Sequence, residues 1–136
     1  MPTPQIIVDM MMAKDYFSQW LGISILEISE GYSKIQMQVR HEMLNGHGTA
    51  HGGITYSFAD SALGFASNSH GKKSVSVETS ISHTQPLYEN DVIVAEAKEE
   101  NCSNKIGIYS IKVTRVSDNS TIALFKGTVY RTSKDW

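Results

Sequence analysis

One aspartate, Asp60, interrupts an otherwise small and apolar stretch of the chain, GGITYSFADSALGFA at residues 52–66. A carboxylate inside such a stretch costs free energy unless something uses it. A glycine-rich loop, LNGHGTAHGG at residues 44–53, runs directly into this stretch. If the stretch is a helix, a free backbone N–H at Gly52 or Gly53 can hold a carbonyl oxygen that becomes an oxyanion. These features predict an enzyme that acts on a carbonyl compound, with Asp60 as its catalytic group.

The spacing of these groups has a consequence for the assembly. Gly52 and Asp60 are eight positions apart, which is about 12 Å along a helix axis. An oxyanion donor and an attacking group must both lie about 3 Å from the reacting carbon. One helix cannot meet both conditions, whereas two antiparallel copies of it, packed side by side, can. We therefore predict a site shared by two subunits. Small residues that permit close helix approach are Ala59, Ser61, Ala62 and Gly64.

A short helix is predicted near the N-terminus. Residues 9–20, DMMMAKDYFSQW, have an amphipathic pattern with Met10, Phe17 and Trp20 on roughly one side. Gly22 is expected to end this helix, because glycine readily adopts the left-handed conformation found after a helix.

The rest of the chain alternates between apolar and polar residues, which is the period of a half-buried strand. A buried helix, about residues 54–68, separates the second strand from the third. The predicted strands are 23–29, 32–40, 73–84, 91–100, 105–116 and 120–131. The residues expected to share one face of each strand are Ile35, Met37 and Val39; Val75, Val77 and Ile81; Ile93, Ala95 and Ala97; Tyr109, Ile111 and Val113; and Phe125 and Val129.

One long apolar helix and six strands predict a single α+β domain over residues 1–136, with a curved antiparallel sheet wrapped around the helix. A helix that is apolar all round must be covered all round, and a second copy of the chain can supply what the sheet does not cover. The order of elements is therefore helix, two strands, long helix, four strands.

Composition narrows the class of protein. The chain has 136 residues, of which 40% are hydrophobic and 19% charged, and this argues against disorder. A net charge of −2 gives no basic surface for nucleic acid. The single cysteine, Cys102, favours a reducing compartment. The N-terminal run MPTPQIIVDMMMAKDYF is a poor signal peptide and too short to span a bilayer, so we expect a cytoplasmic protein without a membrane partner.

The run N-G-H-G-T-x-H-G-G, then A-D-x-A and a downstream S-V-S-V, resembles the hotdog-fold acyl-CoA thioesterases of the phenylacetate-degradation (PaaI-like) type. The resemblance extends from about residue 15 to the C-terminus. It implies a hotdog fold, dimers that often pair into tetramers, and an acyl-CoA or aryl-CoA substrate. A thioester is already electrophilic and its thiol leaves with little acid assistance, so no cofactor is expected.

The resemblance also implies roles for individual residues. Asp60 matches the catalytic carboxylate of the family, and Gly52 matches the backbone amide that polarises the thioester carbonyl. His51 and Asn45 match polar residues that support the loop or the attacking water. Ser76 lies where some members place a helpful hydroxyl.

Substrate contacts can be proposed for further residues. Gly53 adds a second backbone N–H at the helix start, and Lys72 and Lys73, just past the helix, are candidates to meet the phosphates of coenzyme A. An apolar pocket at the dimer seam is expected to take the acyl group. Its candidate lining residues are Tyr56, Phe58, Leu63 and Phe65.

Simpler interpretations stand beside these roles. Asp60 can be a structural hydrogen-bond or salt-bridge partner, Asn45 can shape the turn, and the two lysines can be solvated charges. His51 can equally serve as a loop-stabilising hydrogen-bond partner.

The other histidines are given structural interpretations. His47 and His51 have the spacing of helical metal ligands, but the glycines around them disfavour a helix, so no metal site is predicted. The remaining histidines are interpreted as surface or strand residues: His41, His70 and His83.

Two other functions remain open. A hotdog hydratase or dehydratase acting on enoyl thioesters would pair a histidine with an acid, and His51 with Asp60 can serve. A non-catalytic acyl-CoA binding protein is the alternative outside enzymology. Sensors of that kind usually carry an added DNA-binding domain, for which 136 residues leave no room.

Overall fold

Two short helices, one long helix and six strands make up the structure, a computed structural model that describes residues 2–136. The helices are α1 (Pro4–Lys14), α2 (Tyr16–Leu21) and α3 (Gly52–Asn68). The strands are β1 (Ser24–Ser29), β2 (Tyr32–Gln38), β3 (Lys72–His83), β4 (Val92–Cys102), β5 (Ile106–Arg115) and β6 (Thr121–Asp135). A single 3₁₀ turn, His41–Met43, lies between β2 and the glycine-rich loop.

The six strands form one antiparallel sheet in the order β1-β2-β4-β5-β6-β3. Helix α3 connects β2 to β3 and contacts all six strands. The predicted α+β architecture is therefore confirmed. Helix α3 starts two residues before the predicted position because His51 caps its N-terminus, and β6 runs on to Asp135 rather than ending at residue 131.

The core lies between α3 and the inner face of the sheet. The alternation predicted for β2, β4, β5 and β6 is confirmed, because the apolar residues assigned to one face of each are almost fully buried. Burying such a side chain stabilises the fold by about 1.5–3 kcal/mol. No helix within residues 2–136 is long and apolar enough to cross a lipid bilayer.

The face predicted for β3 is wrong. Val75 and Val77 are 56% and 60% exposed, whereas Ile81 is half-buried. The pairing of β3 with β6 shifts register just after Ser76, which leaves Val77 as an extra, bulged residue. Ser76 pairs with the buried Val129, and directly opposed residues share a face of the sheet. The bulge therefore turns Ser76 towards α3.

The prediction of one helix over residues 9–20 is also wrong. Two helices are present, and they meet at Asp15, which caps α2 by accepting the backbone N–H of Ser18 at 2.9 Å. An aspartate in this role satisfies a helix N–H that would otherwise lack a partner. Gly22 ends α2 with φ +76°, as predicted.

The buried side of these two helices differs from the predicted one. The first helix begins at Pro4, capped by Thr3, so Ile7 and Val8 face the core. The residues assigned to the apolar side are largely exposed: Met10 at 41%, Phe17 at 52% and Trp20 at 45%.

Candidate active site

The loop before α3 is held in shape by Asn45. Its Oδ1 accepts the backbone N–H groups of His47 at 2.9 Å and Thr49 at 3.2 Å, and its Nδ2 donates to Thr49 Oγ1 at 3.1 Å. Gly48 takes φ +82° in the middle of this turn, a conformation that favours glycine. These contacts of Asn45 all lie within the loop. They agree with the simpler of its two predicted roles, which is to shape the turn.

His51 fixes the start of α3. Its Nδ1 accepts the backbone N–H of Gly53 at 2.8 Å, and its carbonyl accepts that of Ile54 at 2.9 Å. The N–H of Gly52, at the first helical position, makes no hydrogen bond within residues 2–136. One free donor, exposed at the positive end of the helix dipole, therefore remains at Gly52.

A cavity of about 280 Å³ lies beside Gly52, lined by Ala50, Thr55 and residues 83–87. The His83 imidazole forms one wall: a Cβ placed on Gly52 would lie 3.4 Å from His83 Nε2. Sequence reasoning missed His83 because only the folding of β3 alongside α3 brings the end of that strand to the start of the helix. No local motif marks it.

Asp60 lies in the third turn of α3, on a partly exposed side of the helix. Its carboxylate makes no hydrogen bond or ion pair within the described chain, residues 2–136. Burial raises the pKa of Asp60 above its ordinary value, and the negative charge of Asp15 adds to this. A small cavity of about 80 Å³ borders Asp60, with Gly64 and Ser76 in its wall. The structure thus brings Ser76 to the carboxylate, across the bulge in β3.

A chain of side chains ties α2 to α3 next to Asp60. Asp15 Oδ2 accepts the hydroxyl proton of Ser18 at 2.6 Å, and Ser18 Oγ lies 2.8 Å from Ser61 Oγ. Because Ser61 follows Asp60 in the sequence, this chain fixes the helix at the carboxylate and places the charge of Asp15 nearby.

The remaining predicted contacts lie elsewhere or are engaged. Lys72 Nζ contacts Asp135 Oδ1 at 2.6 Å, and Lys73 Nζ lies 4.9 Å from the centre of the Trp136 ring. Both lysines follow the far end of α3, away from Gly52. The N–H of Gly53 is taken by His51, as described above.

Of the four residues expected to line an acyl pocket, only Leu63 borders one of the cavities described above, and Tyr56 packs edge-on against Phe125. Phe58 and Phe65 are buried in the core, whereas Leu63 borders the Asp60 cavity. A separate surface pocket of about 320 Å³ adjoins His51 and Gly53. Its wall includes Phe17 and Trp20, whose stacked rings lie 5.9 Å apart. Their exposure was not expected, because the N-terminal helix was predicted to bury them.

A sequence model of the thioesterase superfamily matches residues 47–122, which cover most of the glycine-rich loop, all of α3, and strands β3, β4 and β5. The chain belongs to this superfamily.

Similarity to individual proteins shows which type of thioesterase within the superfamily this chain is. The acyl-coenzyme A thioesterase PaaI of Escherichia coli is 34% identical over 121 residues, covering 89% of this chain and 86% of that protein. An Archaeoglobus fulgidus protein named "Putative esterase" is 45% identical over 130 residues, covering 96% and 84%. The solved structure of E. coli PaaI superimposes with a TM-score of 0.94 at 31% identity, over 97% of this chain and 95% of that one. The predicted hotdog fold and PaaI-like type are confirmed, and the chain is a thioester hydrolase.

Proposed function

We propose that this enzyme hydrolyses a small acyl- or aryl-CoA thioester to the free acid and coenzyme A, with Asp60 and the N–H of Gly52 as its catalytic groups. One observation carries the proposal. A partly buried carboxylate without a partner lies on the same helix whose first N–H is exposed and free. Unpaired polar groups of this kind are costly in a core and are concentrated at functional sites.

The reaction needs no further group. The Gly52 N–H donates to the thioester oxygen and stabilises the negative charge that develops there. Asp60 either attacks the carbonyl carbon, giving an anhydride that water then cleaves, or takes a proton from the attacking water. The carbon–sulphur bond breaks and the thiolate leaves unaided, since a thiol has a pKa of about 8.5.

The two groups come from different subunits in this proposal. They are about 12 Å apart along α3, so the Gly52 N–H works with Asp60 of the partner subunit. Strand β3 supports such a dimer, because it is the last strand of the sheet and pairs only with β6. Its free edge carries the exposed Val75 and Val77, which a second copy of β3 would cover. Pairs of such dimers would form the tetramer.

Four further residues are assigned supporting roles in the reaction. His51 and Asn45 shape the loop, so that the Gly52 N–H faces the substrate, and Gly53 permits close approach of the substrate to the backbone. Ser76 contacts the substrate or the attacking water beside Asp60.

The nucleotide end of coenzyme A is assigned to two lysines that follow α3. Lys72 and Lys73 would exchange their intrachain partners for the phosphates of coenzyme A.

Residues 1–136 act as one catalytic domain in the cytoplasm, where the single cysteine stays reduced.

A panel of acyl- and aryl-CoA thioesters tests this function. We expect thiol release from at least one member, and the ranking of members by kcat/KM gives the acyl specificity. Loss of the conjugated enoyl absorbance without thiol release would instead indicate a hydratase. Tight binding of the thioesters with neither change would indicate a binding protein.

A further inference from the structure

Three side chains with metal-binding atoms meet at the end of α3 that is remote from Gly52. His70, Glu99 and Cys102 each bring one such atom to within 4.8 Å of the others. Helix α3 separates this cluster from the catalytic loop by about 25 Å. None of the three takes part in the proposed reaction, so the cluster needs an explanation of its own.

The backbone is built to bring these groups together. The N–H of Gly31, in the turn between β1 and β2, donates to Ser69 Oγ at 2.8 Å and holds this turn against the end of α3. Gly31 has φ +75°, and a Cβ there would lie 3.2 Å from both Glu99 Oε2 and His70 Nε2. Glycine at this position therefore leaves space for the two side chains to meet.

His70 is oriented by two carboxylates. Its Nε2 lies 2.6 Å from Glu99 Oε1, and its Nδ1 lies 3.0 Å from Glu30 Oε1. The His70 side chain is 15% exposed, whereas that of Glu30 is 69% exposed. A histidine that binds a metal through one ring nitrogen usually donates the other N–H to a carboxylate, which is how Glu30 is placed.

We propose that His70 Nε2, a carboxylate oxygen of Glu99 and the thiolate of Cys102 bind a Zn²⁺ ion, and that Glu30 orients His70 through Nδ1. Nitrogen, oxygen and sulphur donors together suit Zn²⁺ better than Mg²⁺ or Ca²⁺, which prefer oxygen alone. The two anionic ligands balance the charge of the ion. Binding displaces the thiol proton and any proton shared between His70 and Glu99, and water completes the tetrahedral site.

The surroundings favour the charged form of Glu99 and oppose that of Cys102. Burial opposes ionisation of Glu99, but hydrogen bonds from His70 and Tyr109 hold its pKa below the ordinary value. Burial and the neighbouring Glu99 carboxylate raise the pKa of the Cys102 thiol, and the charge of Arg131 offsets this only in part. The charge of the bound ion must therefore displace the thiol proton. The Nε–H of Arg131 is buried and has no hydrogen-bond acceptor within residues 2–136. The positive charge of this guanidinium would partly offset the negative charge of a Cys102 thiolate.

Cobalt replaces zinc as the probe, because thiolate bound to Co²⁺ gives a charge-transfer absorption in the near ultraviolet. The full-length protein is treated with a chelator and titrated with Co²⁺. We expect this band to saturate at one ion per chain and to disappear on addition of Zn²⁺. C102S should abolish the band, and E30Q should weaken binding by about 10- to 100-fold.

H41Q is the matched control, since His41 also contacts a glutamate, Glu89, at 3.0 Å but has no cysteine beside it. It should leave the titration unchanged. A folded wild-type protein that gives no charge-transfer band with excess Co²⁺ overturns the proposal, and so does a band that H70Q leaves unchanged. A second measurement uses the wild type alone: Zn²⁺ must slow the reaction of Cys102 with a thiol reagent.

Discussion

Nδ1 of His51 accepts the backbone N–H of Gly53 at 2.8 Å, one residue beyond the amide proposed to bind the substrate oxygen. The contact removes one of the two candidate donors at the start of α3 and leaves the other, Gly52, free. It also fixes the orientation of the first helical turn, because the same residue accepts the N–H of Ile54 through its carbonyl. His51 is thus a positioning residue for the Gly52 amide.

Replacing Gly52 by proline tests that amide directly. Proline is well tolerated at the first helical position and lacks the N–H, and the preceding residue, His51, has φ −60° and ψ 135°, which a following proline accepts. We expect G52P to fold and to lose about 10²- to 10³-fold in kcat.

G52A is the matched control, because alanine keeps the N–H. Its Cβ would lie 3.4 Å from His83 Nε2, which is tight but acceptable. We expect G52A to stay far closer to the wild type than G52P does. Equal losses in the two variants would contradict a role for the N–H and indicate a steric effect beside His83.

Asp60→Asn removes the charge of the carboxylate with little change in shape. We expect kcat to fall by about 10²- to 10⁴-fold, as for loss of a general base. The melting temperature at neutral pH should rise, because the raised pKa of Asp60 means that its ionised form destabilises the fold. That stabilisation should fade as pH falls from the raised pKa of folded Asp60 to the ordinary pKa of aspartate, and it should be absent below it, where the wild-type carboxyl is protonated in both states. Near-wild-type turnover would refute the catalytic assignment.

Asp15→Asn tests the electrostatic coupling between α2 and the site. In the proposed mechanism the ionised form of Asp60 is the active one, so kcat/KM should rise with pH through the pKa of Asp60. Removing the charge of Asp15 lowers that pKa and should move the acid limb to lower pH, with an unchanged plateau. Asparagine caps helices as well as aspartate does, so the fold should persist. D9N, at an exposed position of α1, is the control and should leave the limb in place.

Local patterns predicted most of the fold. Alternating residues located six strands, and the loop followed by an apolar run located α3. The features of the fold that these patterns missed depend on contacts between residues that are distant in sequence. The bulge at Val77 follows from pairing with β6, and it brings Ser76, rather than Val75 and Val77, to the side of β3 that borders the Asp60 cavity. A period of two, read along one strand, contains no sign of such an extra residue.

Local patterns also account for only part of the candidate site. Gly52 and His51 belong to one continuous motif, so their proximity is local. His83 reaches the candidate site only through the topology of the sheet, and the His70, Glu99 and Cys102 cluster joins residues from two distant segments. The short N-terminal helices were mispredicted because Asp15 resembles a helical surface residue but acts as a cap.

Close packing of α3 on β6 supports the position of Asp60. Gly127 lies in β6 opposite Leu63, and a Cβ there would overlap the Leu63 side chain. We expect G127A to destabilise the protein by about 1–3 kcal/mol in urea unfolding, which is typical of overpacking. G46A is the control, since a Cβ on Gly46 would meet nothing within 4 Å. A neutral G127A would show that the helix can shift without cost, against a rigid placement of the carboxylate.

Mixed dimers distinguish a shared site from one built within a single chain. D60A and G52P carry different tags and are co-expressed, and the heterodimer is isolated through both tags. If the sites are shared, one site of the heterodimer combines the intact Gly52 of the D60A chain with the intact Asp60 of the G52P chain, and the other carries both lesions. Each heterodimer should therefore recover half of the wild-type turnover, although both parent homodimers are inactive.

A site built within one chain gives the opposite result, because every chain in the heterodimer carries one lesion and no complete set of groups exists. The control is a heterodimer of a D60A chain and a wild-type chain. A shared site and a site within one chain both predict half of the wild-type turnover for it, so this heterodimer calibrates the assay. Subunit exchange must be measured, since re-formed homodimers lower the recovery in the test but leave the average turnover of the control at half of the wild-type value. Verified D60A–G52P heterodimers without activity would mean that Gly52 and Asp60 do not act on the same thioester across the dimer interface.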